Sequence, residues 1–291
     1  MADQRVDWIT ADGNRWTLLD GDRVDLLWGT EGRGLPPAIY ASDELVGVDG
    51  AVLRQVRRDK RRITLPVEVR ADTRSELRRR IQAFGRALDP IRGAGRLQIE
   101  TDDRAVEVDA YYEDGYELEE TLDAGAYARE VELTFIAFEP LWRDINPTAK
   151  AIEVDQPSFL PLPPLRLAAS AAVGRFDISN HGDADAYPHW TIIGPGEQLE
   201  LVREADDATI SLPDVVLDEG EQIEIDTHPL AQTIEKVNGD GDRENLWPEA
   251  SSDTLLWPLV RGRQTIRGRF EETAAGVSQV RVAYRQRWLV A

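Results

Sequence analysis

The sequence predicts a mainly β chain: an N-terminal β-barrel or sandwich with one packed α-helix, followed by a second β-sandwich. Three observations predict it. A single stretch has helical periodicity, most other apolar residues alternate, and a proline-rich segment divides the chain near its middle. Many short strands separated by turn residues are the pattern of sandwiches and barrels.

In chain order, the first signal is the basic stretch RQVRRDKRR, Arg54 to Arg62, in which six of nine residues carry positive charge. It runs into ITLPVEVR, where Ile63, Leu65, Val67 and Val69 fall on one face by period two. Arg54–Arg62 is therefore expected to be a strand and turn bearing arginines. The helix follows at DTRSELRRRIQAFGRALD, Asp72 to Asp89. Leu77, Ile81, Phe84 and Leu88 recur at spacings of 4, 3 and 4, the stripe of an amphipathic helix. Thr73 with Glu76 has the capping-box pattern, with Asp72 as an alternative cap. Pro90, Gly93 and Gly95 end it. The opposite face carries Arg74, Arg78, Arg79, Arg80 and Arg86. Two further alternating runs close the first domain: Val106, Val108, Ala110 and Tyr112, then Val131, Leu133, Phe135 and Ala137.

The break is NPTAKAIEVDQPSFLPLPPL, Asn146 to Leu165, with prolines at 147, 157, 161, 163 and 164. Proline fixes φ and removes a donor, so the segment reads as an extended interdomain linker. This places one domain at 1–145, the linker at 146–165 and a second domain at 166–291. In the latter, FDISN, HWTIIG, ATISL, EQIEID, QTIRGRF and QVRVAYRQRWLV have strand composition. Turn signals such as Asn180-His181-Gly182, Gly194-Pro195-Gly196 and Asp218-Glu219-Gly220 separate them.

Composition narrows the function. The chain has 291 residues and a formal charge of −20. Both parts are acidic, net −8 to Lys150 and −12 beyond it. A main surface built to grip nucleic acid needs a positive face, so specific nucleic-acid binding is not expected. No apolar run is long enough for a membrane span, and the N-terminal residues have no signal-peptide core. Cysteine is absent, which removes disulfides, thiolate metal sites and cysteine nucleophiles. His181, His189 and His228 lack metal-ligand spacing. Asn238–Glu244 echoes half a calcium loop but lacks the late glutamate, and it reads as a solvated hairpin loop. No nucleophile elbow, phosphate loop or dinucleotide motif occurs. The chain is not expected to be an enzyme, and no metal or cofactor is implied.

Two sets of residues remain as candidates for binding. Arg54, Arg57, Arg58, Lys60, Arg61 and Arg62 form a basic stripe in an acidic protein, suited to pairing with an acidic patch on a neighbouring copy, with a plain solvated face as the competing reading. Trp190 and Trp257 are candidate carbohydrate-stacking residues if they stand on the outside of the sandwich. Core packing is the competing role for them.

Taken in order, the motifs resemble one family. Gly47 and Gly50 form a Gly-x-x-Gly turn before a basic-to-apolar strand. A helix ending in Leu88-x-Pro90 follows, then a glycine-bounded strand from Arg96, and a Phe-bearing strand closed by Glu139, Pro140 and Trp142. The second half carries Asn180 and Gly182 before Ala186, Pro188 and Trp190, then LLWPLVRGRQTIRGRF and VRVAYRQRWLV. This arrangement resembles the distal tail proteins of siphophages over essentially the whole chain. The resemblance implies a tail-tube-like N-terminal domain and a galectin-like C-terminal β-sandwich. It implies a structural virion protein at the distal end of a long non-contractile tail, assembled in the host cytoplasm. Six copies would form a ring with a central channel for DNA. The expected partners are the tail tube protein, the tail hub or tail-associated protein, the tape measure protein, and receptor-binding or fibre proteins. High negative charge near the channel would repel DNA phosphates. The competing function is a carbohydrate-binding β-sandwich contacting host cell-surface glycans.

Overall fold

Alternation of apolar residues fixes which face of each strand turns inward, and the strands assemble accordingly. The computed structural model describes residues 4–19, 24–47, 49–117, 127–153, 172–271, 274 and 277–291. The chain divides into two units, Met1–Ile145 with Trp288–Ala291, and Asn146–Arg287.

The first unit contains β1 (Arg5–Ile9), β2 (Arg15–Thr17), β3 (Val24–Leu26), β4 (Ala38–Glu44), β5 (Ala51–Arg58) and β6 (Arg61–Arg70). Helix α1 (Arg74–Ala87) follows, then β7 (Gly95–Glu100), β8 (Ala105–Asp114), β9 (Ala128–Ala137) and β10 (Trp142–Asp144). The main sheet has the order β2-β1-β7-β8-β9-β6-β3. Its two ends meet, because Leu26 donates to the Leu18 carbonyl and Leu19 bridges Asp25, so the sheet is a nearly closed barrel. Closure of this kind removes open edges.

Period two decides the barrel interior. Ile63, Leu65, Val67 and Val69 are fully buried on β6, and Leu133 and Phe135 are their counterparts on β9. Leu77 and Phe84 of α1, with Leu88 at its C-cap, join the same core. The helix starts where its cap predicts, with Thr73 Oγ1 accepting from the Glu76 amide at 3.2 Å. A short 3-10 turn over Pro90–Arg92 ends it, capped by Asp89.

The second unit holds β11 (Thr148–Glu153), β12 (Ala172–Asn180), β13 (His189–Ile193), β14 (Gly196–Arg203) and β15 (Ala208–Leu217). It continues with β16 (Gln222–Asp226), β17 (Thr233–Val237), β18 (Arg243–Asn245), β19 (Gly262–Glu271) and β20 (Gln279–Tyr284). A six-stranded sheet, β11-β20-β13-β16-β17-β18, faces a four-stranded sheet, β12-β19-β14-β15. Their inner faces share one core, with Ile192, Ile223, Ile225 and Val282 from the first, and Leu201, Ile210, Ile266 and Phe270 from the second.

One expectation changes here. The segment read as a linker from Asn146 begins instead with a strand, since Thr148–Glu153 pairs antiparallel with β20 over six residues. The physical reason is local. No proline lies between Pro147 and Pro157, so the six donors and acceptors are free to join a sheet edge. Residues 154–165 lie outside the described residues.

The sequence motifs prove to be structural fasteners. Asn180 is buried, donates to the carbonyls of Ala184 (2.9 Å) and Leu259 (2.8 Å), and accepts from the Gly182 amide. A β-carbon at Gly182 would sit 2.7 Å from the Arg287 carbonyl, so only glycine fits. The loop at Asn238 is a hairpin connection between β17 and β18. Its Asn238 Oδ1 accepts from the amides of Asp240 and Asp242, and Arg243 is engaged by Glu235 and Glu224.

Candidate functional site

Between β3 and β6 the chain leaves the barrel and makes a two-stranded ribbon. Among the described residues, strands β4 and β5 pair only with each other. Every residue of β5 is exposed, and in β4 only Ile39 is even half-buried. Gly47 and Gly50, both at positive φ, lie in the turn. The register pairs Tyr40 with Val56 and Ser42 with Leu53, while Ile39 lies opposite Arg57 and Asp43 opposite Val52. Directly opposed residues share a face, so Tyr40, Val56 and Leu53 cluster on one side. Arg57, Gln55 and Asp43 lie on the other, with Arg54 at a bulge reaching Asp43 at 2.6 Å.

This ribbon conflicts with the physics of an isolated chain. A lone two-stranded hairpin is at best marginally stable in water. Here Tyr40, Leu53 and Val56 are each at least half exposed, and the turn adds Val46, which is fully exposed. Neither outer backbone edge is paired with another strand among the described residues. Exposed apolar side chains and open strand edges are the features by which separate chains pack and pair.

The basic stripe read from the sequence divides at this point. Arg54, Arg57 and Arg58 are on the exposed arm, and Lys60 is exposed in the turn at its foot. Arg62 is exposed and paired with Glu113 through two hydrogen bonds of 2.7 and 2.9 Å. Those bonds hold the Glu113 carboxyl below the usual carboxylate range and raise the guanidinium.

Arg61 is different and leaves the candidate interface. It is 1% exposed. Its guanidinium donates to four backbone carbonyls: Pro140 (2.6 Å), Gly32 (2.6 Å), Gly34, and Leu289 (2.8 Å). It lies over the Trp142 ring at 5.5 Å. Burial lowers its pKa to about 10, which leaves it charged at neutral pH. Arg61 thus ties the loop before the arm, the Pro140–Trp142 turn and the C-terminal residues to the arm's foot. Gly32 is needed there, because its φ is +82° and a β-carbon would meet the Arg62 carbonyl at 2.0 Å. The alternation on β6 carried this signal: Arg61 is two residues before Ile63 and so shares the buried face. Its acceptors are remote in sequence and left no local trace.

Trp190 and Trp257 also leave the list of surface candidates. Both are fully buried and meet edge to face at 5.6 Å, and Trp190 packs on Phe176 at 6.2 Å. Neither ring has a face for a sugar to stack on. Trp190 alternates with the buried Ile192, which was the legible sign of its orientation. The Nε1 of each is buried without a hydrogen-bond partner among the described residues, an arrangement that costs stability. Trp190→Ala is expected to cost about 3–5 kcal/mol. Trp190→Phe should cost clearly less, because the lost ring area is offset by removal of the unpaired N–H. Denaturant unfolding of the two variants checks this, and equal losses would contradict it.

The remaining candidates are unremarkable in place. His181 is exposed in a turn, His189 is on β13, and His228 stacks edge-on with Tyr187 at 4.8 Å. Among the described residues no three metal-ligating side chains come together, and no helix is long and apolar enough to cross a membrane.

No family model and no curated protein match the sequence. Solved structures do match its fold. The crystal structure of the SPP1 Dit protein, described as a paradigm of the hub adsorption apparatus in phages infecting Gram-positive bacteria, superposes with a TM-score of 0.65 at 15% identity, covering 98% of each chain. A chain of the phage p2 baseplate in its activated conformation with strontium gives a TM-score of 0.53 at 14% identity, covering 93% of this chain and 98% of that one. The same baseplate with calcium gives 0.53 at 15% identity with the same coverage. This chain shares its fold, over nearly its whole length, with the SPP1 Dit protein and with a chain of the phage p2 baseplate.

Proposed function

We propose that this chain is a structural component of the tip of a long non-contractile phage tail, where six copies form a ring around a channel for DNA. The first unit makes the ring, joining the tail tube to the tail hub. The second carries receptor-binding or fibre proteins. The reading rests on a fold shared over nearly the whole chain with hub proteins, and one observation carries it. The β4–β5 arm exposes apolar side chains and two unpaired edges that a monomer leaves uncovered, and a closed ring covers such a surface on every copy at once. Arg54, Arg57 and Arg58 on that arm are the proposed charged contacts to the neighbouring copy. Complementary charge there sets register more than affinity. The burial of Trp190 and Trp257 takes away the residues on which the carbohydrate reading stood.

Electron microscopy of the purified protein, with mass by light scattering, tests the proposal. Six-fold rings with an open centre and six times the 32.6 kDa chain mass are expected. A uniform monomer that stays monomeric when mixed with tail tube and hub proteins would overturn it.

A further inference from the structure

A second surface lies away from the arm, along helix α1. Two adjoining grooves of about 650 and 380 Å3 run between α1 and strand β2, and both are lined by Trp16, Val24 and Ala83. They therefore form one furrow, with small alanines on the helix side and the Trp16 ring opposite. Trp16 is held by a tilted ring contact with the buried Phe84 at 5.1 Å.

Its rim is arginine. Arg15, Arg86 and Arg92 line the larger groove, and Arg79 and Arg80 the smaller, with Asp12 and Glu76 the acidic lining side chains among the described residues. Several of these charges are already engaged: Arg15 by Asp7, Arg80 by Glu76, and Arg92 by Asp12 and Asp89. Arg79 and Arg86 are exposed and have no acidic partner among the described residues. The chain as a whole carries −20, so a local excess of positive charge is not a consequence of composition.

We infer that this furrow is a docking site for an extended acidic segment of a partner protein, with an apolar side chain set against Trp16 and carboxylates on Arg79 and Arg86. Three features favour this occupant. The charge is complementary to carboxylates, and guanidinium forks bind them bidentately. The separation fits, because seven helical residues from Arg79 to Arg86 span about 10 Å, the reach of roughly three extended residues at about 3.3 Å each. The apolar floor suits a side chain from an alternating peptide more than a bare phosphate chain. None of the residues that line the furrow belongs to the arm.

The test uses the full-length protein and a fluorescein-labelled peptide of sequence Glu-Asp-Leu-Asp-Glu, read by polarisation at low and high salt. Saturable binding is expected, weakened roughly tenfold or more by R79E/R86E and by moderate salt, since the attraction is between charges. Trp16→Leu should weaken binding without abolishing the salt dependence. Arg79 and Arg86 are exposed, so the double variant should stay folded, with a thermal midpoint lowered by a few degrees at most through the acidic charge in the last turn of α1. Failure to bind, binding unchanged in R79E/R86E, or equal binding of the Lys-substituted peptide would overturn the inference. Tighter binding of an oligothymidylate that competes with the peptide would also overturn it, assigning the furrow to nucleic acid instead.

Discussion

Placing charge on the apolar face of the arm is expected to abolish ring assembly while leaving the fold intact. The variant is Tyr40→Asp, Leu53→Asp and Val56→Asp together. In the isolated chain these side chains are already at least half exposed, so solvent takes the new carboxylates at little cost. Substitutions at such positions change stability by about 0.5 kcal/mol or less each. In an assembled interface the same groups are desolvated without partners, at about 1–3 kcal/mol apiece. With about 1.4 kcal/mol per tenfold in affinity, three per interface weaken association by roughly 100-fold or more. Light scattering and thermal unfolding together read the result. Rings that persist in the triple variant would remove the arm from the interface. A matched loss of fold and assembly would show that the arm packs on its own barrel.

Arg61→Ala should be among the most destabilising substitutions in the first unit. The change leaves four carbonyls without their donor in a site that water does not reach freely, and it strips the cation from the Trp142 ring. Buried acceptors left unpaired cost about 1–3 kcal/mol each, and with water entering the vacated space to re-pair part of them the loss is about 3–5 kcal/mol. For a folding unit of this size each kcal/mol lowers the thermal midpoint by about 2–4 °C, so a fall of roughly 6–20 °C is expected. Arg61→Lys should recover part of it, since an ammonium reaches some of the same acceptors but lacks the planar fork. Deleting Trp288–Ala291 should destabilise the same unit despite its distance in sequence. That tetrapeptide supplies the Leu289 carbonyl to Arg61, an indole that donates to Asp144 at 2.6 Å and lies under Arg104 at 4.0 Å, and an amide bonded to Arg33. Scanning calorimetry of the three variants checks the order. An Arg61→Ala midpoint equal to that of the unaltered chain would mean the carbonyls find other donors.

Much of the architecture was legible in the sequence because it rests on local periodicity. The four-residue and three-residue spacings of Leu77, Ile81, Phe84 and Leu88 specify one helix and one buried stripe. Period two on β6 and β9 specifies which side chains enter the barrel. Asn180 and Gly182 mark a turn whatever lies beyond it. Sequence alone also determined the acidic charge, the absence of thiol chemistry, and the order of motifs that resembles the phage distal tail proteins.

The tertiary structure decided everything that depends on which chemically similar residue meets a partner. Six basic residues from Arg54 to Arg62 look alike as a string, yet one is an interior post and three stand on a free arm. The difference comes from carbonyls at residues 32, 34, 140 and 289, brought together only by the fold. Trp190 and Trp257 have the composition of a sugar platform, but the two sheets close over them. The furrow beside α1 joins Trp16 to arginines that follow it by some 60 to 70 residues in the sequence. Periodicity reports the inward or outward sense of a side chain, because backbone geometry repeats. It carries no information on what stands opposite, because that depends on contacts between distant segments.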